Sequence, residues 1–190
     1  GGARPDLAGA SLRLDNVSIA TPDGARHAPS KLSLTARPGE LTVLYGANGE
    51  GKSTALLALG GLIAVDDGHV AALTGAGEVD IANADADAWV SHIAWVPQRP
   101  ELGPAGRTLS LGQRHLVAYE RALTSGRPVL LFDEPTAHLD GKAREELIAR
   151  IAAAAHAGAT VVAASHDPLL IAAADRTVEV TAATVKVAAP

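Results

Sequence analysis

Hydrophobic and polar positions change their period along this chain. From Leu12 to Ile19 the apolar residues are Leu12, Leu14, Val17 and Ile19, an alternation with one slip that predicts a strand. Lys31–Thr35 alternates again, and Leu41–Tyr45 is a short apolar run of the kind a fully buried strand carries. Ser53–Leu59 then predicts a helix that Gly60-Gly61 ends. His69–Leu73 and Glu78–Ile81 predict strands on either side of a Gly-rich turn, Asp85–Val90 a short helix capped by Asp85, and Ile93–Val96 a strand. A helix over Ser110–Ser125 follows, then a buried strand at Val129–Phe132 and an Ala-rich helix at Gly141–Ala157. Thr160–Ala164 reads as a strand, Leu169–Ala174 as a short helix, and Thr177–Val180 with Thr184–Val187 as a closing hairpin. Thr21–Pro29 and Arg99–Arg107 carry the Pro and Gly of loops. Strands alternating with helices from residue 41 onward predict an α/β fold with a mainly parallel sheet, preceded by an N-terminal antiparallel β-subdomain.

Composition narrows this picture. A chain of 190 residues suits one domain, placed here over residues 12–190. The Gly1-Gly2 start and the absence of Met resemble a tag remnant, so residues 1–11 are expected to be a flexible start outside the fold. Aromatics make up only 3 %, so the core must be built from Ala, Val, Leu and Ile. The formal charge of −5 gives no electrostatic reason to expect a nucleic-acid partner. Without Cys there is neither disulfide nor thiolate chemistry. No apolar run approaches the ~20 residues that span a bilayer. The fragment is therefore expected to be soluble, with any membrane attachment supplied by another segment or chain.

Two motifs carry phosphate chemistry. Gly46-Ala47-Asn48-Gly49-Glu50-Gly51-Lys52-Ser53-Thr54 fits G-x-x-x-x-G-K-[ST] between a buried strand and a helix. Its glycines let backbone N–H groups turn toward phosphate oxygens, and the helix N-terminus adds partial positive charge. Lys52 would bridge the β- and γ-phosphates of ATP, and the Ser53 hydroxyl would ligate Mg²⁺. Val129-Leu130-Leu131-Phe132-Asp133-Glu134 runs an apolar strand into two carboxylates, at the strand end where open α/β sheets bind ligands. Asp133 can hold Mg²⁺, and Glu134 can act as general base on an attacking water. Together these motifs indicate a P-loop NTPase core.

Four further strings resemble the nucleotide-binding domain of ABC transporters and occur in that family's order. They are Trp95-Val96-Pro97-Gln98 (Q-loop), Leu109-Ser110-Leu111-Gly112-Gln113-Arg114 (signature), Asp133–Asp140 (Walker B and D-loop) and Ser165-His166-Asp167 (H-loop). The resemblance implies that Gln98 contacts Mg²⁺ and the attacking water, and that His166 binds the γ-phosphate. It implies that Ser110, Gly112 and Gln113 cap ATP held by a second ABC ATPase domain in a head-to-tail dimer, with Asp140 connecting the two sites. It also implies a transmembrane partner and a place at the cytoplasmic face of the cell membrane. The wording of Asp133–Asp140, Ser165–Ala174 and Trp95–Pro100 resembles most closely the ATPase half of heterodimeric exporters for cytochrome bd assembly.

Three departures stand out. Only Arg99–Thr108 separates Gln98 from Leu109, so the family's helical subdomain is absent from this stretch or lies outside the sequence. The aromatic that stacks on adenine is missing from Ala20–His27, and Tyr45 is too close to the phosphate loop to replace it. Leu111 stands where the signature has a glycine. An ATP-hydrolysing exporter domain is the leading reading. A trimmed module that binds ATP with little turnover, and an ABC-type ATPase of DNA maintenance, are the alternatives. The six histidines other than His166 read as surface residues.

Overall fold

The computed structural model describes residues 1–186, and Val187, the last residue of the expected closing hairpin, lies outside them. Two large sheets and a two-stranded one share the chain. The first is antiparallel, in the order β3 (Leu32–Ala36), β1 (Ser11–Ser18), β5 (Asp67–Thr74), β6 (Gly77–Asp80). The slip read in the first strand is a register shift between Leu14 and Val17, with Asn16 at φ 47°. The second sheet is parallel throughout, in the order β10 (Arg176–Glu179), β4 (Leu41–Tyr45), β9 (Thr160–Ala164), β8 (Val129–Asp133), β7 (Ile93–Val96).

Alternation along the central strands divides the core into two layers. Leu44, Leu131, Val162 and Ala164 face α1 (Lys52–Leu59) and the antiparallel sheet. Val43, Phe132, Val161 and Ala163 face α3 (Leu111–Leu123), α4 (Gly141–His156) and α5 (Pro168–Ala173). Small residues at Ala163 and Ala164, both fully buried, let helices approach the sheet from each side. The short helix α2 (Ala86–Ser91) leads into β7 and is capped by Asp85, whose Oδ1 accepts from Ala88 N at 2.8 Å.

The structure corrects several expectations. Residues 1–11 are not a loose start: Leu7 and Ala10 are fully buried, and Ala3 N donates to Asn83 O at 2.9 Å. Among the described residues the closing hairpin does not form. β10 pairs with β4, while β11 (Ala183–Thr184) pairs with β2 (Arg26–His27), a two-residue strand inside the predicted 21–29 loop. The cause is tertiary: Glu50 Oε2 accepts the Ala182 N–H at 2.5 Å and Ser30 N donates to Thr181 O at 2.8 Å, drawing the chain away from its neighbour. Ile81, expected to end a strand, opens a 3₁₀ turn capped by Asp80. Between Gln98 and Leu109 there is only a 3₁₀ turn at Gly103–Gly106. Among the described residues no helix is long and apolar enough to cross a membrane.

Candidate nucleotide-binding site

Four neighbouring parallel strands deliver the site from their carboxyl ends: β4 leads into Gly46–Gly51, β9 into Ser165-His166, β8 into Asp133-Glu134, and β7 toward Gln98. The loop after β4 depends on glycine where the backbone turns. Gly51 has φ 103°, and a Cβ there would lie 2.1 Å from Pro29 N. Gly51 also caps α1 without any side-chain bond, so the N–H groups of the first turn remain available to an anion. Lys52 is 7 % exposed. Its ammonium donates to Gly46 O and, at 3.3 Å, to Ala47 O, and among the described residues it forms no ion pair. The Glu50 side chain turns elsewhere: it accepts from Ala182 N and faces Arg26 Nη2 at 3.6 Å, tying the loop to the C-terminal segment.

The acidic wall is buried. Burial pushes the Asp133 carboxyl above its ordinary value, the Ser53 hydroxyl pulls it back, Glu134 raises it and Lys52 lowers it. Glu134 sits at φ 48°, a strained conformation for a non-glycine residue, and its N–H donates to Ala164 O at 2.8 Å. Its Oε1 lies 3.0 Å from His166 Nδ1. A proton on Nδ1 makes that a donated hydrogen bond and leaves Nε2 for a ligand. Burial raises the next carboxyl, Asp167, but the Thr136 hydroxyl, the Leu169 N–H, Arg144 and His166 outweigh it and hold Asp167 below its ordinary value.

Lys52, Ser53, Gln98, Glu134 and His166 all line one cavity of about 480 Å³, with Asn48, Gly49, Gly51 and Thr54. Asp133 lies beneath it, against Ser53. The opposite wall is Ala20, Thr21, Pro22 and Ala28, so no aromatic offers a stacking face. Ser53 and Asp133 supply hard oxygen donors suited to Mg²⁺. No cluster of three His, Cys, Asp or Glu side chains that could hold a metal occurs among the described residues. By their donor chemistry the residues suit Mg·ATP.

The signature residues are not brought into this cavity. Ser110 caps α3 in a reciprocal box: its Oγ accepts from Gln113 N at 3.2 Å, and Gln113 Oε1 accepts from Ser110 N at 2.9 Å. Leu111 is 40 % exposed beside Gly112. Asp140 stands exposed at the start of α4 with no capping bond of its own. Among the histidines, His115 overturns the surface reading, being fully buried with Nε2 against Pro135 O. Its helical spacing from Ala118, Tyr119 and Ala122, all buried, was the signal that could have found it.

Known proteins share this arrangement. The family model described as ABC transporter matches residues 29–107, and one described as AAA domain, putative AbiEii toxin, Type IV TA system matches residues 107–172. The Cytochrome c biogenesis ATP-binding export protein CcmA of Hyphomonas neptunium is 35 % identical over 166 residues, which cover 72 % of this chain and 80 % of that protein. The chain belongs to the ABC transporter ATP-binding family. A putative ABC transporter ATP-binding protein of Streptomyces avermitilis is 34 % identical over 188 residues, covering 79 % of this ABC domain and 33 % of the relative. The macrolide export ATP-binding/permease protein MacB of Chromobacterium violaceum is 29 % identical over 221 residues, with 92 % and 34 % covered. The domain thus spans about a third of the length of these two relatives.

The Streptomyces alignment has 188 positions but covers 79 % of 190 residues, about 150, so roughly 40 positions are filled in the relative alone. The two family models meet at Arg107, inside the short 99–108 segment. Solved structures show the same fold. A bacterial Atm1-family ABC exporter with ATP bound superposes with TM-score 0.80 at 22 % identity, over 95 % of this chain and 38 % of that one. A dimeric ATP-binding cassette in a post-hydrolysis state with ADP and Pi gives TM-score 0.75 at 22 % identity, over 90 % and 94 %.

Proposed function

We propose that this ABC domain binds Mg·ATP in the cavity after β4 and hydrolyses it, supplying the energy for an exporter. The observation that carries this reading is the convergence of Lys52, Ser53, Gln98, Glu134 and His166 on one cavity, with Glu134 and His166 in hydrogen-bond contact at 3.0 Å. Phosphoryl transfer needs positioning and charge neutralisation more than covalent chemistry, and this set supplies both. Lys52 exchanges its two loop carbonyls for β- and γ-phosphate oxygens. The α1 N-terminus and the loop N–H groups hold the remaining phosphate charge. Ser53 and Asp133, with Gln98, would hold Mg²⁺, which when bound neutralises charge on the phosphates. Glu134 takes a proton from the water attacking the γ-phosphate, and His166 orients Glu134 by donating from Nδ1, with Nε2 donating to a γ-phosphate oxygen in the doubly protonated ring.

Ser110, Gly112, Gln113 and Asp140 lie outside the cavity, which supports a role toward the ATP of a second, head-to-tail ABC domain. A transmembrane partner at the cytoplasmic face of the membrane completes the exporter. The Asp133–Asp140 and Ser165–Ala174 wording favours the cytochrome bd assembly class within it. One observation supports a second reading, a module that binds ATP with little turnover: the single 3₁₀ turn between Gln98 and Leu109 leaves α3 without the family's helical subdomain. Glu134→Gln decides the chemistry. Mg·ATP binding stays intact while turnover falls by about 10²- to 10⁴-fold. An unchanged rate means that Glu134 is not the base.

A further inference from the structure

The chain has only five Phe, Trp and Tyr residues, and two of them lie beneath the acidic wall in a strip that also contains two histidines. Tyr119 packs on Phe132, the residue before Asp133, with ring centroids 4.8 Å apart. His115 packs on Tyr119 at 4.8 Å and meets His138 edge-on at 6.2 Å. Gly112, His115 and Tyr119 recur at helical spacing, so one face of α3 meets the turn after β8. A Cβ on Gly112 would touch His138 O at 3.5 Å. At the centre of this contact the fully buried His115 ring turns Nε2 to Pro135 O, and because a carbonyl only accepts, Nε2 carries the proton.

Pro135 directly follows Glu134, and the turn is strained at both ends, with Glu134 at φ 48° and His138 at φ 67°. Such conformations persist only where surroundings over-determine them. Besides the Glu134 N–H bond to Ala164, the bonds within the turn are Ala137 N to Glu134 O at 3.1 Å and Leu139 N to Thr136 O at 3.2 Å. Pro135 has no N–H, so its peptide is gripped from outside through its carbonyl alone. The gripping group sits on the helix whose first turn carries Ser110–Gln113.

We propose that His115 is a positioning residue that latches α3 to the 134–138 turn, holding Glu134 in its working conformation and linking it mechanically to the signature turn of the same chain. The functional arm rests on the hydrolysis reading above, whereas the structural arm does not. His115→Leu removes the donor and His115→Gln keeps an N–H at similar reach.

In His115→Leu, amide exchange at Ala137 and Leu139 quickens. Its kcat falls by about 10- to 100-fold, the cost of a misplaced catalytic group, with Mg·ATP affinity held within about twofold. His115→Gln restores both exchange and kcat. Unchanged exchange, unchanged kcat, a matching loss of affinity, or a His115→Gln protein no better than His115→Leu overturns the proposal. Should His115→Leu fail to fold, ¹⁵N-histidine spectra of the unaltered protein decide instead. One ring with a slowly exchanging Nε2–H supports the latch, and a His115 ring protonated on Nδ1, or exchanging freely, overturns it. If the unaltered protein shows no turnover, the hydrolysis reading fails, while the exchange and ring spectra still test the latch.

Discussion

The phosphate cavity and the signature turn are built from the same kind of parts and end in opposite states. Each has a glycine-bearing loop at a helix N-terminus. At α1 the capping residue is Gly51, which leaves the first-turn N–H groups unclaimed, and a buried Lys52 rests only on loop carbonyls. At α3 the cap is Ser110, closed on itself with Gln113, and Leu111 stands out into solvent. The lining of the first cavity comes from one chain, because adjacent strands bring Gln98, Glu134 and His166 to it. The second is a surface turn whose capping bonds are made within the turn itself. An unclaimed set of donors beside a buried cation is therefore a better mark of a ligand site than a helix terminus by itself.

Perturbations on the two sides should separate. The largest effect is expected from Lys52→Ala, which weakens Mg·ATP binding by about two orders of magnitude or more through loss of charge-assisted bonds, read by calorimetric titration. Next comes a gain. Ala20→Tyr puts a ring on the bare wall while leaving the hydrogen bonds of Thr21 to Asp23 and Arg26 untouched. Stacking worth about 1–3 kcal/mol predicts ATP binding tightened by about 5- to 150-fold, checked by the same titration. On the other side, Ser110→Ala costs about 1 kcal/mol of stability in a denaturant melt while leaving Mg·ATP affinity unchanged. If affinity falls as well, the two sites are not separate within one chain.

The smallest effect concerns pH. Because Asp167 is held below its ordinary 3.8, its stabilising contribution is fully present above that value and is lost as pH falls through the lower native value. Asp167→Asn should therefore lower stability near neutrality by about 1 kcal/mol, make the acid limb shallower, and differ little from the unaltered protein once pH lies below the native value.

How much of this was legible depends on how local the cause is. Four strands of the parallel sheet were readable because each is a short, mainly apolar run, as at β4 and β7, whereas its edge strand β10, Arg-Thr-Val-Glu, is not. Asp85 was readable as a cap because capping is settled within three residues. The phosphate loop, Asp133 and Glu134 could be placed at strand ends because each is written in contiguous residues, whereas His166 was singled out only by the resemblance of Ser165-His166-Asp167 to the family's H-loop. Partner choice was not. The pattern at 177–187 predicts strands, but nothing in it says that β10 joins β4 and β11 joins β2, since side chains far away in sequence, such as Glu50, decide it. Leu7 and Ala10 show the same limit: a short stretch without periodicity still enters the core when a neighbouring strand leaves room. His115 was misread because a polar residue type suggested solvent, although its place in the α3 stripe predicted burial.

Calorimetric titration of Mg·ATP into the unaltered protein, dilute enough to be monomeric, tests the central claim most directly. The account predicts saturable binding of one nucleotide per chain, without any need for a second domain. No binding to the isolated chain, or binding only at concentrations where chains pair, would contradict the claim that the residues after β4 suffice to bind the nucleotide.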